Sequence, residues 1–179
     1  PNYKFPFYLN FLKKKLYPMS SGFIAQTKSA FDYKRKQFGP NFRQSIIPNA
    51  IREINTNSSI KNEKIILYAG RFAWEKNPAA LIEAFAKIKY KDWELIMAGD
   101  GPLLNEMVLL SKKLKIHNNI TFLGNVNDID VWLNKASIFV LPSETEGFPN
   151  VLCEAMSARL PSICFDSIHC QSLICNDIQ

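Results

Sequence analysis

No run in this 179-residue chain approaches the roughly 18 uninterrupted apolar residues that a membrane-spanning helix requires. Its first residues, PNYKFPFYLNFLKKKLYP, place lysines after the apolar part and offer no small-residue cleavage site, so they do not read as a secretory leader and a cytoplasmic chain is expected. Cysteine is missing until late: Cys153, Cys164, Cys170 and Cys175 all fall in the last 27 residues. Without a secretory signal, that pattern argues against disulfides. His169 with Cys170 and Cys175 lacks the second matching pair that a zinc site needs, so buried free thiols are expected and no metal. Acids are scarce at the start. Residues 1–60 hold ten Lys/Arg against Asp32 and Glu53, whereas the remainder holds twelve against fourteen. The imbalance implies either a solvated lysine-rich face or an anionic partner such as phosphate, a membrane surface or nucleic acid.

What the chain does have is an alternation of two periods. Apolar runs of strand length at 64–70, 93–99, 119–124, 137–142 and 161–166 alternate with helical patterns at 77–90, 102–114, 128–136 and 150–158. Near-continuous apolar strands between amphipathic helices specify a parallel sheet covered on both faces, an α/β doubly wound domain. Residues 1–54 read as helix (9–17), strand (22–27), helix (28–38) and strand (44–51), too little to build a core alone. They are expected to be the tail of a preceding domain with its crossover, joined by the polar run 55–63 to a second domain over 55–179. Both ends read as incomplete.

Ligands of such sheets bind beyond the carboxyl ends of the strands. The loops there are GRFAWEKN (70–77), GDGP (99–102), GNVND (124–128) and SETEGFPN (143–150). Arg71 and Lys76 suit a diphosphate, one as a planar fork and the other as a mobile point charge. The alternative for the pair is two solvated charges at a helix entry. Gly147 permits close backbone approach, Pro149 suits a first helical turn, and the N–H groups of residues 150–152 would point at the same rim. Glu146 in the loop and Glu154 inside the helix could accept hydrogen bonds from vicinal hydroxyls, although Glu154 could equally complement the helix dipole. Glu144 and His117 read as solvated. Gly99 and Gly101 begin a dinucleotide fingerprint, but Leu104 stands where the third glycine belongs.

YAGRFAWEKN, MAGDGP, ITFLGNVND and LPSETEGFPNVLCEAM, in this order across 64–166, resemble the donor-binding half of GT-B glycosyltransferases, specifically the large retaining family 4. The Glu146-x7-Glu154 element carries most of the resemblance, and FIAQT and IIPNAI are similar to the end of that family's N-terminal domain and its crossing into the second. The resemblance implies a Rossmann-like C-terminal domain that binds a nucleotide-diphospho-sugar, UDP by family habit. Hexose transfer with retention would follow, to a lipid-linked or polysaccharide acceptor at the inner membrane face, without metal, other cofactor or nucleic acid. It implies that Arg71 and Lys76 contact the diphosphate and Glu146 the donor sugar. Phe148, Pro149, Asn150 and Val151 would line sugar or phosphate with backbone, Gly70, Gly99, Gly101 and Gly147 would admit the ligand closely, and Glu154 would hold the ribose. The basic N-terminal part would lie near an anionic membrane surface. Two departures stand out: Arg159 occupies a usual glycine position before LP, and the stretch after CFD lacks the family's Gly-Pro-x-Glu element. The chain by itself is expected to bind donor weakly and transfer nothing. Two other classes remain open at this point: a non-catalytic nucleotide-sugar-binding module, and a nicotinamide-binding domain resting on Gly99 and Gly101 alone.

Overall fold

The computed structural model describes residues 7–39, 42–54, 63–89 and 92–165. They divide between Ala50 and Ile51 into two compact units. The first contains α1 (Phe7–Leu16), β1 (Phe23–Ala25), α2 (Lys28–Phe38) and β2 (Gln44–Ile46), with the two strands paired in parallel. Thr27 caps α2 by accepting the Ala30 N–H at 3.1 Å, and Gly39 ends it at φ 87° with its N–H on the Arg35 carbonyl. Both strands are shorter than expected. Ile47 N–H still reaches the Ala25 carbonyl at 2.8 Å, but Pro48 has no N–H with which to continue the ladder.

The second unit holds the five expected strands and four expected helices. These are β3 (Ile65–Ala69), α3 (Pro78–Phe85), β4 (Glu94–Ala98), α4 (Leu104–Lys113), β5 (Ile120–Gly124), α5 (Ile129–Lys135), β6 (Ile138–Leu141), α6 (Asn150–Ser157) and β7 (Ser162–Cys164). All pair in parallel in the order β5-β4-β3-β6-β7. Every residue of β3 is buried, as a strand covered on both faces must be. The core packs Tyr68, Phe72, Leu95 and Met97 against Ile82 and Phe85 of α3. Helix α3 stops at Phe85, short of the expected end at 90, which itself lies outside the described residues. The chain runs outward from β3 to β5 and then crosses back to β6, so the connections diverge between β3 and β6. That divergence leaves a crevice at the carboxyl ends of the strands.

Candidate functional site

A cleft of about 620 Å³ opens at that crevice. Its floor is Ala69, Gly70 and Arg71 at the end of β3 and residues 98–101 at the end of β4; Asn125 and Val126 after β5, Ile129 of α5 and Val151 of α6 complete the wall. Two of the converging loops are sewn together by backbone. Gly70 N–H donates to Ala98 O at 3.0 Å, Phe72 N–H to Asp100 O at 2.9 Å, and Leu103 N–H to Phe72 O at 3.0 Å. The glycines follow from this contact: a Cβ on Gly99 would lie 2.0 Å from the Gly70 carbonyl oxygen, and one on Gly101 2.5 Å from that of Phe72. The GxG pair is therefore the seam between two loops and needs no third glycine.

Tyr68 lies fully buried beneath the floor, and its hydroxyl donates to the Arg71 carbonyl at 3.0 Å. Burial, with Glu146 and Glu75 adding to it, pushes the phenol well above its ordinary range, so it remains a neutral donor and fixes the loop that carries Arg71. The Arg71 side chain itself is exposed at the cleft.

Lys76 and Glu146, 70 residues apart in sequence, meet: Lys76 Nζ lies 2.6 Å from both carboxylate oxygens. The Glu146 side chain, read in the sequence as an acceptor for vicinal hydroxyls, is only 8% exposed and is turned onto the lysine. Backbone reinforces the junction, since Glu144 N–H donates to the Glu75 carbonyl at 3.0 Å. Glu144 is exposed, as expected, and accepts from Asn77 Nδ2 at 3.3 Å.

Helix α6 brings a correction. In place of three free amides at residues 150–152, Asn150 N–H donates to Phe148 O and Leu152 N–H to Pro149 O, each at 3.0 Å. Among the described residues only Val151 N–H of the three lacks a backbone acceptor, and Val151 is the one that lines the cleft. Pro149 is the buried N-cap residue, one place before the helix. Gly147 faces open space and is not in the left-handed region, so nothing in its own packing requires glycine. Glu154 accepts from Arg52 Nε at 3.1 Å.

Of the residues singled out in the sequence, Gly70, Arg71, Gly99, Gly101 and Val151 thus share the cleft lining, with Lys76 and Glu146 held as a pair. Asp100, Asn125, Val126, Ile129 and Arg52 are additions that the sequence reading missed. The third loop, GNVND, carried a usable signal in its place after an apolar strand; Arg52 carried none. Among the described residues no three His, Cys, Asp or Glu side chains gather into a metal-binding group, and no helix is long and apolar enough to cross a membrane. Cys153 and Cys164 are half-buried thiols, while Cys170, Cys175 and His169 lie outside the described residues.

Comparison with known proteins bears on this geometry. The profile of the family described as glycosyl transferases group 1 matches residues 50–179. A Campylobacter jejuni protein named N-acetylgalactosamine-N,N'-diacetylbacillosaminyl-diphospho-undecaprenol 4-alpha-N-acetylgalactosaminyltransferase is 30% identical over 162 residues, covering 87% of this chain and 44% of that protein. Among solved structures, the pneumococcal O-GlcNAc transferase GtfA in complex with UDP and GlcNAc superposes with a TM-score of 0.78 at 20% identity, over 87% of this chain and 32% of its own. A mutant of S. aureus TarM, in complex with Fondaparinux, alpha-GlcNAc-glycerol and UDP, gives 0.82 at 19% identity, over 94% and 35%. These likenesses establish the fold as the Rossmann-like α/β fold of GT-B proteins. The chain spans less than half the length of curated relatives that it matches, from 14% to 44%.

Proposed function

The chain belongs to the glycosyl transferases group 1 family, and on that premise we propose that it is the donor-binding part of a retaining, family 4 glycosyltransferase. The complete protein moves a hexose from a nucleotide-diphospho-sugar, a UDP-sugar, to a lipid-linked or polysaccharide acceptor. The observation that carries this reading is the cleft at the strand ends, with Arg71 in its lining and the Lys76–Glu146 pair on the loops beside it.

In this reading the diphosphate lies over the floor formed by Gly70, Gly99 and Gly101, where backbone can approach it closely, and next to Val151 N–H at the start of α6. Arg71 and Lys76 stabilise the negative charge that grows on the diphosphate as the sugar–oxygen bond breaks, a role in which fixed positive charge replaces a metal ion. Lys76 leaves Glu146 for the phosphate, and the released carboxylate then accepts hydrogen bonds from donor-sugar hydroxyls. Transfer on the same face, aided by the leaving phosphate, needs no protein nucleophile. Glu146 and Glu154 are not the paired carboxylates of a glycosidase. Glu154 holds the ribose.

Calorimetric titration with UDP tests the site. Binding in the millimolar range or tighter is expected, weakened at least about tenfold (~1.4 kcal/mol) in an Arg71→Ala/Lys76→Ala double variant. Unchanged affinity in that variant would refute the clamp. Retention is tested on the complete protein, where a product of inverted anomeric configuration would exclude it. The complete protein works at the cytoplasmic membrane face in this proposal. Helix α1 exposes Tyr8, Phe11, Leu12 and Leu16 beside Lys13, Lys14 and Lys15, a composition suited to an anionic lipid surface. Co-sedimentation with anionic but not neutral vesicles is the expected result, and equal recovery with both would remove this part.

A further inference from the structure

Segment 51–54, which precedes β3, carries one guanidinium that reaches two helices at once. Arg52 Nη1 and Nη2 donate to Oδ2 and Oδ1 of Asp130 at 2.9 and 2.6 Å, and its Nε donates to Oε1 of Glu154 at 3.1 Å. The two carboxylates are well covered, with side chains 26% and 21% exposed, while Arg52 spans them from outside at 48%. Asp130 follows Ile129 directly on α5, and Glu154 stands one turn beyond Val151 on α6. Ile129 and Val151 both line the cleft. A single side chain thus bridges the two helices that form one wall of the site.

The geometry restricts what Glu154 can do. Bidentate pairing with Asp130 fixes the plane of the guanidinium. Once that plane is fixed, so is the direction in which Nε points, and the carboxylate of Glu154 is oriented with it. Oε1 is thereby occupied, while Oε2 takes no donor among the described residues. The hydrogen bonds to Asp130, and then to Glu154, hold the guanidinium above its ordinary range, so it stays charged and can donate to both carboxylates.

We propose that Arg52 is a positioning residue of the donor site: it holds Glu154 with Oε1 engaged and Oε2 offered to the vicinal hydroxyls of the nucleotide ribose, and it ties α5 to α6 across the cleft wall. This rests on the reading of Glu154 as the ribose contact. Arg52 acts through Glu154 and touches no ligand atom. Its effect is therefore on which nucleotide is preferred, beyond any effect on stability.

The test titrates the chain with UDP and with 2′,3′-dideoxy-UDP, which keeps the base and diphosphate and lacks both hydroxyls. The wild-type chain is expected to prefer UDP about tenfold (~1.4 kcal/mol). Glu154→Gln and Arg52→Ala should each bring that ratio close to one, with affinity for the dideoxy compound changed less than about twofold. Arg52→Lys keeps the charge but cannot hold Asp130 with two nitrogens while a third donates to Glu154, so it should lose most of the preference too. It also serves if Arg52→Ala fails to fold in a thermal melt. A wild-type ratio near one, or no UDP binding by the folded chain, overturns the ribose reading and this inference with it. A preference lost in Glu154→Gln but intact in both Arg52 variants leaves the ribose reading standing and overturns the role of Arg52. Equal weakening of both nucleotides by the Arg52 variants, at unchanged ratio, makes the bridge a structural staple only and also overturns it.

Discussion

Replacing Gly99 by alanine should damage the second unit far more than replacing Gly147, although both glycines lie in loops at the same rim. Gly99 sits at φ 126°, where side chains are rarely accommodated, and its Cβ would meet the Gly70 carbonyl oxygen at 2.0 Å and carbon at 2.9 Å. Those atoms are backbone and cannot rotate aside. Moving either loop strains the Gly70 N–H bond to Ala98 (3.0 Å) and the Gly99 N–H bond to Gly124 (2.7 Å). Backbone strain of about 1–3 kcal/mol, together with two hydrogen bonds at about 0.5–1.5 kcal/mol each, gives a loss of roughly 2–6 kcal/mol. For a domain of this size that corresponds to a fall in Tm on the order of 10 °C. At Gly147 an added Cβ meets nothing within 4 Å, so Gly147→Ala should remain within about 0.5 kcal/mol of the parent. Urea unfolding followed by circular dichroism measures both. If Gly99→Ala unfolds within about 0.5 kcal/mol of the parent, the seam between the loops is not what selects glycine there.

Arg159 occupies the left-handed region at φ 57°, just past α6, with Leu160 N–H closing onto the Ala155 carbonyl at 2.9 Å. Arg159→Gly should relieve the strain and, after the loss to backbone entropy, stabilise by about 0.5–1 kcal/mol, seen as a higher urea midpoint; a lower midpoint would contradict the cap geometry. Tyr68 supplies a pH dependence. A phenol whose folded pKa is raised contributes stability that is fully present below the ordinary tyrosine value of about 10 and declines as pH rises above it. Spectrophotometric titration in alkali should leave one tyrosine un-ionised after the exposed ones have titrated, and Tyr68→Phe should remove that component; its persistence in the variant would assign it elsewhere.

The elements of the second unit were legible because burial on both faces writes itself into sequence as apolar runs, and Ile65–Ala69 is such a run. The glutamates of the 143–156 stretch were legible because a loop and one helix bring them to the same end of the sheet. The partners of those glutamates were not. Lys76 reaches Glu146 across 70 positions and Arg52 reaches Glu154 across 102, and no local period encodes such pairings. Gly99 and Gly101 were plain in the sequence, but the neighbouring loop that also comes close to them was not: a Cβ at either would meet the backbone of Gly70 or Phe72. The amides at the start of α6 were misjudged because tight turns at Phe148 and Pro149 take two of them up internally.

The position of β3 in the sheet has a dynamic consequence. It is the strand with β4 on one side and β6 on the other, and its five residues are all buried. Its amides should be the last in the unit to exchange with solvent, with protection falling toward β5 and β7. The floor of the cleft is the direct continuation of that strand, whereas the 143–150 loop is tied down mainly by the contacts of Glu144 and Glu146. If the proposed nucleotide donor binds here, it meets one surface that continues a central buried strand and one held by loop contacts, and the conformational entropy lost on binding is expected to be concentrated in the second.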